Sequence, residues 1–378
     1  MSAIRAWWAG LSDNGRRGVV GGGIAALAVL LIGAAVALGG GGSEEQAAPK
    51  PKPKPTTTTT TAVVTTTTEP PTGPVAPLTG LRVKDGALLA RPVLAVKVDN
   101  LDTPRETAVP QTGLIRADVV YEEVVEGNIT RLVGVFHSQQ PETVGPVRSA
   151  RTTDVILLPQ FGKVLLAWSG GNEGVTAAVH ASPSIIDVGA NAMPGSFHRD
   201  NSRRAPHNLY VDGNSLWQRA PAGTPAPHQM FFFRKSGQSS PNPSRKAAGV
   251  DLTWGGGGAS SPVSWRWDQK ARLYVRSQNG RIHKDSSGTP LTAKNVVVQV
   301  TEYGQSPADL RSPEAHTVGS GELYVFTNGR VVHGTWSRGN QDQYPTLLDD
   351  QGKVILLSPG QTWIELPKAG GVHPRGVR

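Results

Sequence analysis

An uncharged apolar run of 20 residues most restricts what this chain can fold into. Residues 19–38, "VVGGGIAALAVLLIGAAVAL", match a helix that crosses a hydrocarbon core of roughly 30 Å. Three arginines precede the run and two glutamates follow it. Because positive residues stay cytoplasmic, we predict a cytoplasmic tail (1–18) and a single-pass signal-anchor. The alternative is a cleaved secretory signal, since "ALG" at 37–39 has the small-x-small pattern of a cleavage site.

The segment that follows, 39–77, is predicted to be a disordered stalk. Its sequence "SEEQAAPKPKPKPTTTTTTAVVTTTTEPPTGPVAP" has almost no large apolar side chains, so it cannot form a core. Alternating Pro and Lys favour polyproline II, and Thr-rich tracts with Pro are typical of O-glycosylated stalks. At ~3.1 Å per residue the stalk would reach on the order of 100 Å. A linker without a special role is the alternative.

The remaining residues suffice for two domains, and the predicted fold class is α+β. A segment rich in Gly, Ser and Pro, 236–262, is predicted to link an N-terminal mixed α/β domain (78–235) to a mostly antiparallel β domain (263–367). Residues 368–378 are predicted to be a tail.

Local patterns support this division. The first half alternates strand-like runs, "VLAVKVDN" and "RLVGVFHS", with helix-like runs near 111–118, 148–158 and 171–180. The second half carries two Asn-Gly pairs between β-rich segments, in "RLYVRSQNGRIHKD" and "ELYVFTNGRVVHGTWSR", which is a strong hairpin signal. Further strands are predicted at "NVVVQVTEY", "KVILL" and "TWIEL".

The formal charge of +9 belongs partly to segments outside the predicted head. Three stalk lysines and the three arginines before the apolar run account for much of it, so the head is only mildly basic. An extracytoplasmic compartment argues against nucleic acid as a partner. Anionic wall polymers, other envelope proteins and lipid head groups are the expected partners.

An ordered series of motifs runs through the head from 77 to 367. They are "PLTGL", "VKVDN", "ADVVYEEVVEGNITRLVGVF", "GPVRSARTTD", "WSGG", "APHNLY", "IHKD", "GTW" and "TWIEL". In this order they resemble the YerB-like family of uncharacterised bacterial envelope proteins, which have an N-terminal and a C-terminal domain. The resemblance implies an extracytoplasmic role linked to the cell wall or envelope, without an established reaction. This chain has no cysteine and so departs from the lipoprotein members.

The stretch "GPVRSARTTD" predicts a helix that begins after Pro146, with Arg148 and Arg151 on one face of its first turn. Guanidinium groups are unfavourable at the positive end of a helix dipole, so a counter-anion is expected. It is either a carboxylate of the chain, such as Glu122 or Glu123, or a ligand in a cleft, or these groups take part in catalysis. On a strand the two glutamates face opposite sides, so only one of them can meet the arginines.

Two further segments of the first half are candidate sites. Trp168 and Ser169 end an apolar strand before two glycines, a turn that could cradle an anion or could simply be tight. The polar segment "FHRDNSRRAPHNLY" (197–210) carries Arg203, His207 and Asn208, of which His207 could act as a base or ligand. A loop pinned by side-chain hydrogen bonds is the alternative.

In the second half, His283 and Asp285 lie two residues apart and would project from one face of a strand. They could form a His–carboxylate couple or part of a ligand site. Two ligands are too few to predict a metal, and no cofactor motif is present, so we predict neither.

Together these features predict a membrane-anchored protein whose extracytoplasmic head binds an anionic or carbohydrate wall ligand, or a wall-acting partner protein. The alternative is an envelope glycan hydrolase that uses Asp99, Glu122, Glu123 and His207. A third class, a structural head, would have no cleft. Whether the chain is an enzyme stays open at this level.

Overall fold

The head is built on one long mixed β-sheet to which both halves of the chain contribute. The computed structural model describes residues 72–235, 238–255 and 261–377, which belong to one compact unit. The first strands are β1 Leu94–Asp99, β2 Val119–Val124, β3 Thr130–Phe136, β4 Thr143–Val144, β5 Val164–Ala167, β6 Ile185–Asp187, β7 Phe197–Arg199 and β8 Leu209–Asp212. The later strands are β9 Arg245–Lys246, β10 Gly249–Leu252, β11 Val263–Asp268, β12 Leu273–Gln278, β13 Arg281–Ile282, β14 Thr292–Ala293, β15 Asn295–Gln299, β16 Tyr303–Ser306, β17 Asp309–Ala315, β18 Gly319–Thr327, β19 Arg330–Arg338, β20 Thr346–Asp349, β21 Thr362–Glu365 and β22 Val372–Arg375.

The helices are short and lie mostly in the first half. The α-helices are α1 Thr152–Leu157, α2 Glu173–Ala181 and α3 Gly213–Leu216. The 3-10 helices are Gly86–Ala90, Leu114–Arg116, Glu126–Asn128, Leu158–Phe161, Pro194–Ser196 and Trp217–Arg219. The N-terminus of α2 is capped by Asn172, whose side chain accepts a hydrogen bond from the backbone N–H of Val175.

The strand order in the long sheet is β20-β19-β18-β15-β21-β2-β3-β1-β5-β6, with β9 paired to β19. Strand β21 of the second half lies between β2 and β15 and runs parallel to both. A second sheet, β13-β12-β11-β10-β22, is antiparallel. The predicted α+β fold with a β-rich C-terminal region is therefore confirmed, whereas the predicted domain boundaries stay predictions.

The central strands are buried on both faces. Every residue of β1, β2 and β3 is buried. Side chains alternate between two apolar clusters, so that Val96 and Val98 pack with Trp363 in one, and Ala95 packs with Tyr121 in the other. Polar residues on these strands are consequently carried into the interior of the head.

Both Asn-Gly pairs form hairpin turns. Asn279 and Gly280 have φ of 50° and 72° between β12 and β13, and Asn328 and Gly329 have φ of 53° and 70° between β18 and β19. Positive φ at both central residues is the requirement of a type I′ turn, which Asn and Gly meet at low cost. These two hairpins are where the local sequence pattern and the structure agree most closely.

Other segments differ from their predicted structure. The segment predicted as a linker contains β9 and β10, because Val250, Leu252 and Trp254 alternate and bury their side chains. The predicted C-terminal tail contains β22, which pairs with β10. The run "KVILL" (353–357) forms only isolated bridges.

The helix-like runs are shorter than predicted. The run near 111–118 contains only the 3-10 helix Leu114–Arg116, and α1 begins at Thr152 rather than directly after Pro146. Arg148 therefore precedes α1 outside any helix or strand, and Arg151 is its N-cap residue. The predicted sharing of one helical face by the two arginines is wrong.

The predicted signal-anchor at 19–38 and the stalk up to 71 lie outside the described residues. Within the part of the chain that the structure describes, no helix is long and apolar enough to cross a membrane. The anchor therefore stays a prediction from the sequence.

Candidate functional site

Asp99, the last residue of β1, holds the imidazole of His207 and the guanidinium of Arg148. Its Oδ2 accepts hydrogen bonds from His207 Nδ1 at 2.7 Å and from Arg148 Nε at 2.9 Å. Burial raises the pKa of Asp99, but the hydrogen bond from His207 and the charge of Arg148 outweigh it, so the pKa lies below its usual value. Asp99 is then a carboxylate at neutral pH. Because a carboxylate only accepts, we infer that Nδ1 of His207 carries the proton.

The second ring nitrogen of His207, Nε2, is buried and has no hydrogen-bond partner among the described residues. Glu106 Oε2 lies 3.7 Å away, which is beyond normal hydrogen-bond length. The His207 side chain is only 4% exposed, yet it lines a cavity of about 830 Å³. That volume lies in the range of small-molecule sites. A buried polar atom without a partner is costly, so Nε2 is a natural contact point for a ligand.

We call this space the His207 cavity. Its lining comes mainly from two segments, the loop 105–112 and the residues 198–210 from β7 to β8, with Thr143 and Ser286. Arg105 and Arg204 are exposed on it, and neither side chain has a hydrogen bond or ion pair with another described residue. Two free guanidinium groups beside a buried imidazole favour an anionic ligand.

Arg203 and Asn208 hold the walls of the His207 cavity in place. Arg203 donates to the carbonyl of Pro110 at 2.8 Å and to Tyr210 Oη at 2.6 Å, which ties the two loops together. Asn208 is buried, and its amide donates to the carbonyls of Asp200 and Arg203, both at 3.2 Å. Arg203 and Asn208 were predicted as ligand-binding residues. In the structure their side chains instead form hydrogen bonds to other residues of the chain.

A second space, the hairpin cavity, is also lined by residues of loop 102–110 and has a volume of about 1060 Å³. Its other wall is 278–288, which includes the turn between β12 and β13. It shares four lining residues with the His207 cavity: Thr107, Val109, Pro110 and Ser286. The two cavities are therefore neighbours, with residues from both halves of the chain around them.

His283 and Asp285 line the hairpin cavity but are not hydrogen-bonded to each other. His283 Nδ1 accepts from Arg276, and its Nε2 is 2.6 Å from Gln111 Oε1. Burial, followed by the charge of Arg276, lowers the pKa of His283 well below its usual value, so the ring is neutral. Asp285 Oδ2 accepts from the backbone N–H of Gly113 at 2.8 Å. Both side chains join the two halves of the head.

Glu122 lies in a fully buried network that spans the two halves. It accepts from Arg276 Nη2 at 2.6 Å and from Thr130 Oγ1 at 2.7 Å. Glu365 stands opposite Glu122 in the parallel pairing of β2 with β21. Burial, and then the charge of Glu122, raises the pKa of Glu365 well above its usual value. Glu365 is therefore protonated beside the Glu122 carboxylate.

Glu123 faces the opposite side of β2 and meets a buried lysine. Lys97 Nζ lies 2.5 Å from Glu123 Oε1 and 2.8 Å from Asp154 Oδ1, and all three side chains are fully buried. The alternation of the strand separates Glu122 from Glu123 as predicted, but neither pairs with Arg148 or Arg151. Neither glutamate lines a described cavity, which removes both from contact with a ligand there.

Arg151 is paired with Glu126 through two hydrogen bonds of 2.6 and 2.5 Å. Burial opposes the charge of Glu126, but the hydrogen bonds from Arg151 and Ser312 outweigh it and hold the pKa of Glu126 at about 2. Asp154 adds the N-terminal cap of α1, accepting from the backbone N–H of Arg151 at 2.7 Å. The counter-anions of Arg148 and Arg151 are thus Asp99 and Glu126 of the same chain.

Trp168 and Ser169 lie apart from the His207 cavity. Trp168 Nε1 donates to Asp187 Oδ1 at 2.7 Å, and its ring lines a separate cavity of about 250 Å³. The backbone N–H of Ser169 donates to the carbonyl of Arg148 at 3.0 Å, so the glycine turn packs against the backbone before α1. The structure does not bring this turn together with Arg203 and His207.

Arg105 and Glu106 were not predicted from the sequence, and Arg204 was not among the predicted ligand-binding residues. All three are on loops that line the His207 cavity. A usable signal was present, because "TPRETAVP" (103–110) is a polar loop bounded by prolines directly after the buried strand β1. Among the described residues, no group of three or more His, Asp or Glu is arranged to hold a metal ion.

The fold and the site define an α+β protein in which a carboxylate holds a histidine at the edge of a ligand-sized cavity. The chain belongs to the YerB-like family, described as "Protein of unknown function (DUF3048)". The N-terminal domain of that family matches residues 78–226, and the C-terminal domain matches residues 250–364. The family predicted from the ordered motifs is confirmed.

A sequence relative and a solved structure, both named YerB, support this assignment. The chain is 31% identical over 298 residues to the protein named "Putative lipoprotein YerB" of Bacillus subtilis (strain 168), which covers 77% of this chain and 85% of the relative. It is also similar to the crystal structure of the YerB protein from Bacillus subtilis. That match has a TM-score of 0.66 and 26% sequence identity, and covers 80% of this chain and 99% of the other.

Proposed function

We propose that this chain is an anchored envelope protein whose extracytoplasmic head binds an anionic wall ligand in the His207 cavity. The location is supported by the name of the relative, a lipoprotein, and by the apolar run 19–38 with its positive flank. Because the chain has no cysteine, the proposed anchor is this run rather than a lipid on a thiol.

The observation that carries the proposal is the state of the His207 ring. Asp99 Oδ2 accepts a hydrogen bond from Nδ1 at 2.7 Å, and Nε2 is buried without a hydrogen-bond partner among the described residues. An imidazole fixed at one nitrogen by a carboxylate is oriented to contact a ligand with the other.

The expected charge of the ligand follows from the free cations of the cavity. Arg105 and Arg204 have no counter-ion among the described residues, whereas Arg203 is bonded to the neighbouring loop. Guanidinium groups bind carboxylate and phosphate oxygens with short charge-assisted hydrogen bonds. A ligand with such groups would satisfy the free cations.

Sedimentation with purified wall sacculi tests this function. Full-length protein in mild detergent is mixed with sacculi that retain their anionic polymers, and with sacculi from which these polymers have been stripped. We expect the double variant Arg105→Gln/Arg204→Gln to bind intact sacculi at least about fivefold more weakly, since two charged contacts are lost. The difference should shrink at high salt.

The matched control is Lys163→Gln/Arg219→Gln, which removes two exposed positive charges that line none of the described cavities. It should bind like the unmodified chain. Equal binding by the cavity variant and the unmodified chain, or equal binding to stripped sacculi, would contradict the proposal.

A hydrolase is the second candidate, and the Asp99–His207 pair is the observation that favours it. In that case Nε2 would take one proton from water while the water oxygen bonds to a carbonyl carbon or phosphorus of the ligand. The leaving group would then receive the proton. Glu122 and Glu123 would have no part, because they are buried in ion pairs away from the cavity.

Release of soluble fragments distinguishes the two functions. Under the binding proposal, full-length protein incubated with sacculi releases no more fragments than His207→Gln does. Release that depends on His207 would replace the binding proposal with the hydrolase.

A further inference from the structure

The His207 cavity and the hairpin cavity adjoin each other along loop 102–110. They share Thr107, Val109, Pro110 and Ser286, and together they exceed the volume of a site for one small molecule. Hydrogen bonds hold this shared loop in place. Asp102 accepts from Arg281 Nη2 at 2.9 Å and from Asn279 Nδ2 at 2.8 Å, while Arg203 holds Pro110 from the other side.

The charges that remain free in the two cavities are mostly positive. In the His207 cavity they are Arg105 and Arg204. In the hairpin cavity Lys284 is exposed, and its side chain has no hydrogen bond or ion pair with another described residue. The acidic groups of the hairpin cavity have partners within the chain. Asp102 forms an ion pair with Arg281, and Asp285 accepts a hydrogen bond from the backbone N–H of Gly113. Glu106 is the one carboxylate near His207 without a hydrogen bond in the described residues.

We propose that one linear polyanion runs across loop 102–110 and occupies both cavities, with its repeated negative groups near Arg105, Arg204 and Lys284. Apolar side chains along the same path, Val109 and the exposed Ile282, provide surface for the uncharged part of each repeat. This inference rests on the proposed function and narrows the ligand class from an anion to an extended chain with regularly spaced charges.

A length series of defined oligomers tests this. Full-length protein in detergent is titrated with glycerol phosphate oligomers from two to about twenty repeats, and in a second arm with oligogalacturonates, so that phosphodiester and carboxylate chains are compared. Affinity should rise steeply once a chain is long enough to reach from one cavity to the other, because the second contact is then intramolecular.

Single variants separate the two cavities. We expect Lys284→Gln to weaken binding of the longest oligomer about threefold, the effect of one exposed charge contact, and to leave the dimer unchanged. Arg204→Gln should weaken both. Lys270→Gln, an exposed lysine of the same half that lines neither cavity, is the control and should change nothing.

The outcomes distinguish the two proposals. If Arg204→Gln weakens binding while Lys284→Gln has no effect at any length, the His207 cavity binds a short anion and the extended-chain inference is overturned. If neither variant weakens binding of either polymer, the proposed function fails as well. A length-independent affinity would also overturn the extended chain.

Discussion

His207 Nδ1 lies 2.7 Å from Asp99 Oδ2, although 108 residues separate the two in the sequence. The contact joins the end of β1 to the start of β8, and it leaves Nε2 as the ring nitrogen available to a ligand. Arg148 shares the same carboxylate oxygen at 2.9 Å. Asp99 therefore combines two tasks, neutralising an arginine and orienting a histidine.

Arg148 and Arg151 are expected to stabilise the head without contacting the ligand. Replacing Arg148, whose side chain is 26% exposed, by Ala should cost about 1 kcal/mol, or a fall of about 2–4 °C in melting temperature for a head of this size. Arg151→Ala removes two hydrogen bonds to Glu126 and should cost more. Binding to wall sacculi by the folded variants should not change. Weakened binding with an unchanged melting temperature would show that these arginines contact the ligand.

The buried lysine of β1 is expected to be essential for stability. Lys97→Met would leave Glu123 and Asp154 side by side without their shared cation, which should cost about 3–5 kcal/mol. Denaturant unfolding of the full-length protein measures this loss. Lys270→Met, a change at an exposed lysine, is the control and should stay within about 0.5 kcal/mol of the unmodified chain. A similarly small effect for Lys97→Met would mean that the triad does not form.

Glu123 should make stability fall as the pH rises. Burial raises its pKa from 4.5 to about 7, with Lys97 opposing the shift and Asp154 reinforcing it. The folded state therefore binds this proton more tightly than the unfolded state. The contribution of Glu123 is fully present below about pH 4.5 and is lost as the pH rises through about 7.

Unfolding free energies of the unmodified chain and Glu123→Gln, measured from pH 4.5 to 7.5, test this. The unmodified chain should lose on the order of 3 kcal/mol relative to the variant over this range. A relative stability that increases with pH would contradict the raised pKa. Titrating groups that do not contact Glu123, including His137 with its pKa lowered by burial to about 4, are common to both proteins and cancel in the difference.

The predicted topology has its own test. A reporter that is active only outside the membrane, fused to the C-terminus, should be active because the positive flank keeps the N-terminus cytoplasmic. Activity of the cytoplasmic counterpart fusion instead would reject the proposed location of the head. Recovery of the full-length chain in membranes, rather than a shortened secreted form, would favour the anchor over a cleaved signal.

Local patterns were enough to predict the hairpins but not the architecture. The turns at Asn279–Gly280 and Asn328–Gly329 depend on residues next to each other, so the sequence indicates them directly. The insertion of β21 between β2 and β15 depends on pairing across more than 200 residues, which no local pattern encodes. Composition predicted two halves, but it did not indicate that they share one sheet.

The candidate site shows the same limit. His207 was predicted because a polar loop concentrates hydrogen-bonding groups, but its partner Asp99 is distant in the sequence. The counter-ions of Glu122 and Glu123 were wrongly predicted for the same reason, since Arg276 and Lys97 meet them only after the sheet has formed. Strand alternation correctly separated the two glutamates but could not identify what each would face.

Hydrogen–deuterium exchange of the full-length protein, with and without a bound long glycerol phosphate oligomer, tests the central claim most directly. If the oligomer lies in the His207 cavity, exchange should slow in the loops 101–112 and 198–210 and stay unchanged in 164–190, which carries the separate Trp168 cavity. Slower exchange confined to 164–190, or no change in either of the segments 101–112 and 198–210 at oligomer concentrations that the titration shows to be saturating, would contradict the assignment of the His207 cavity as the binding site.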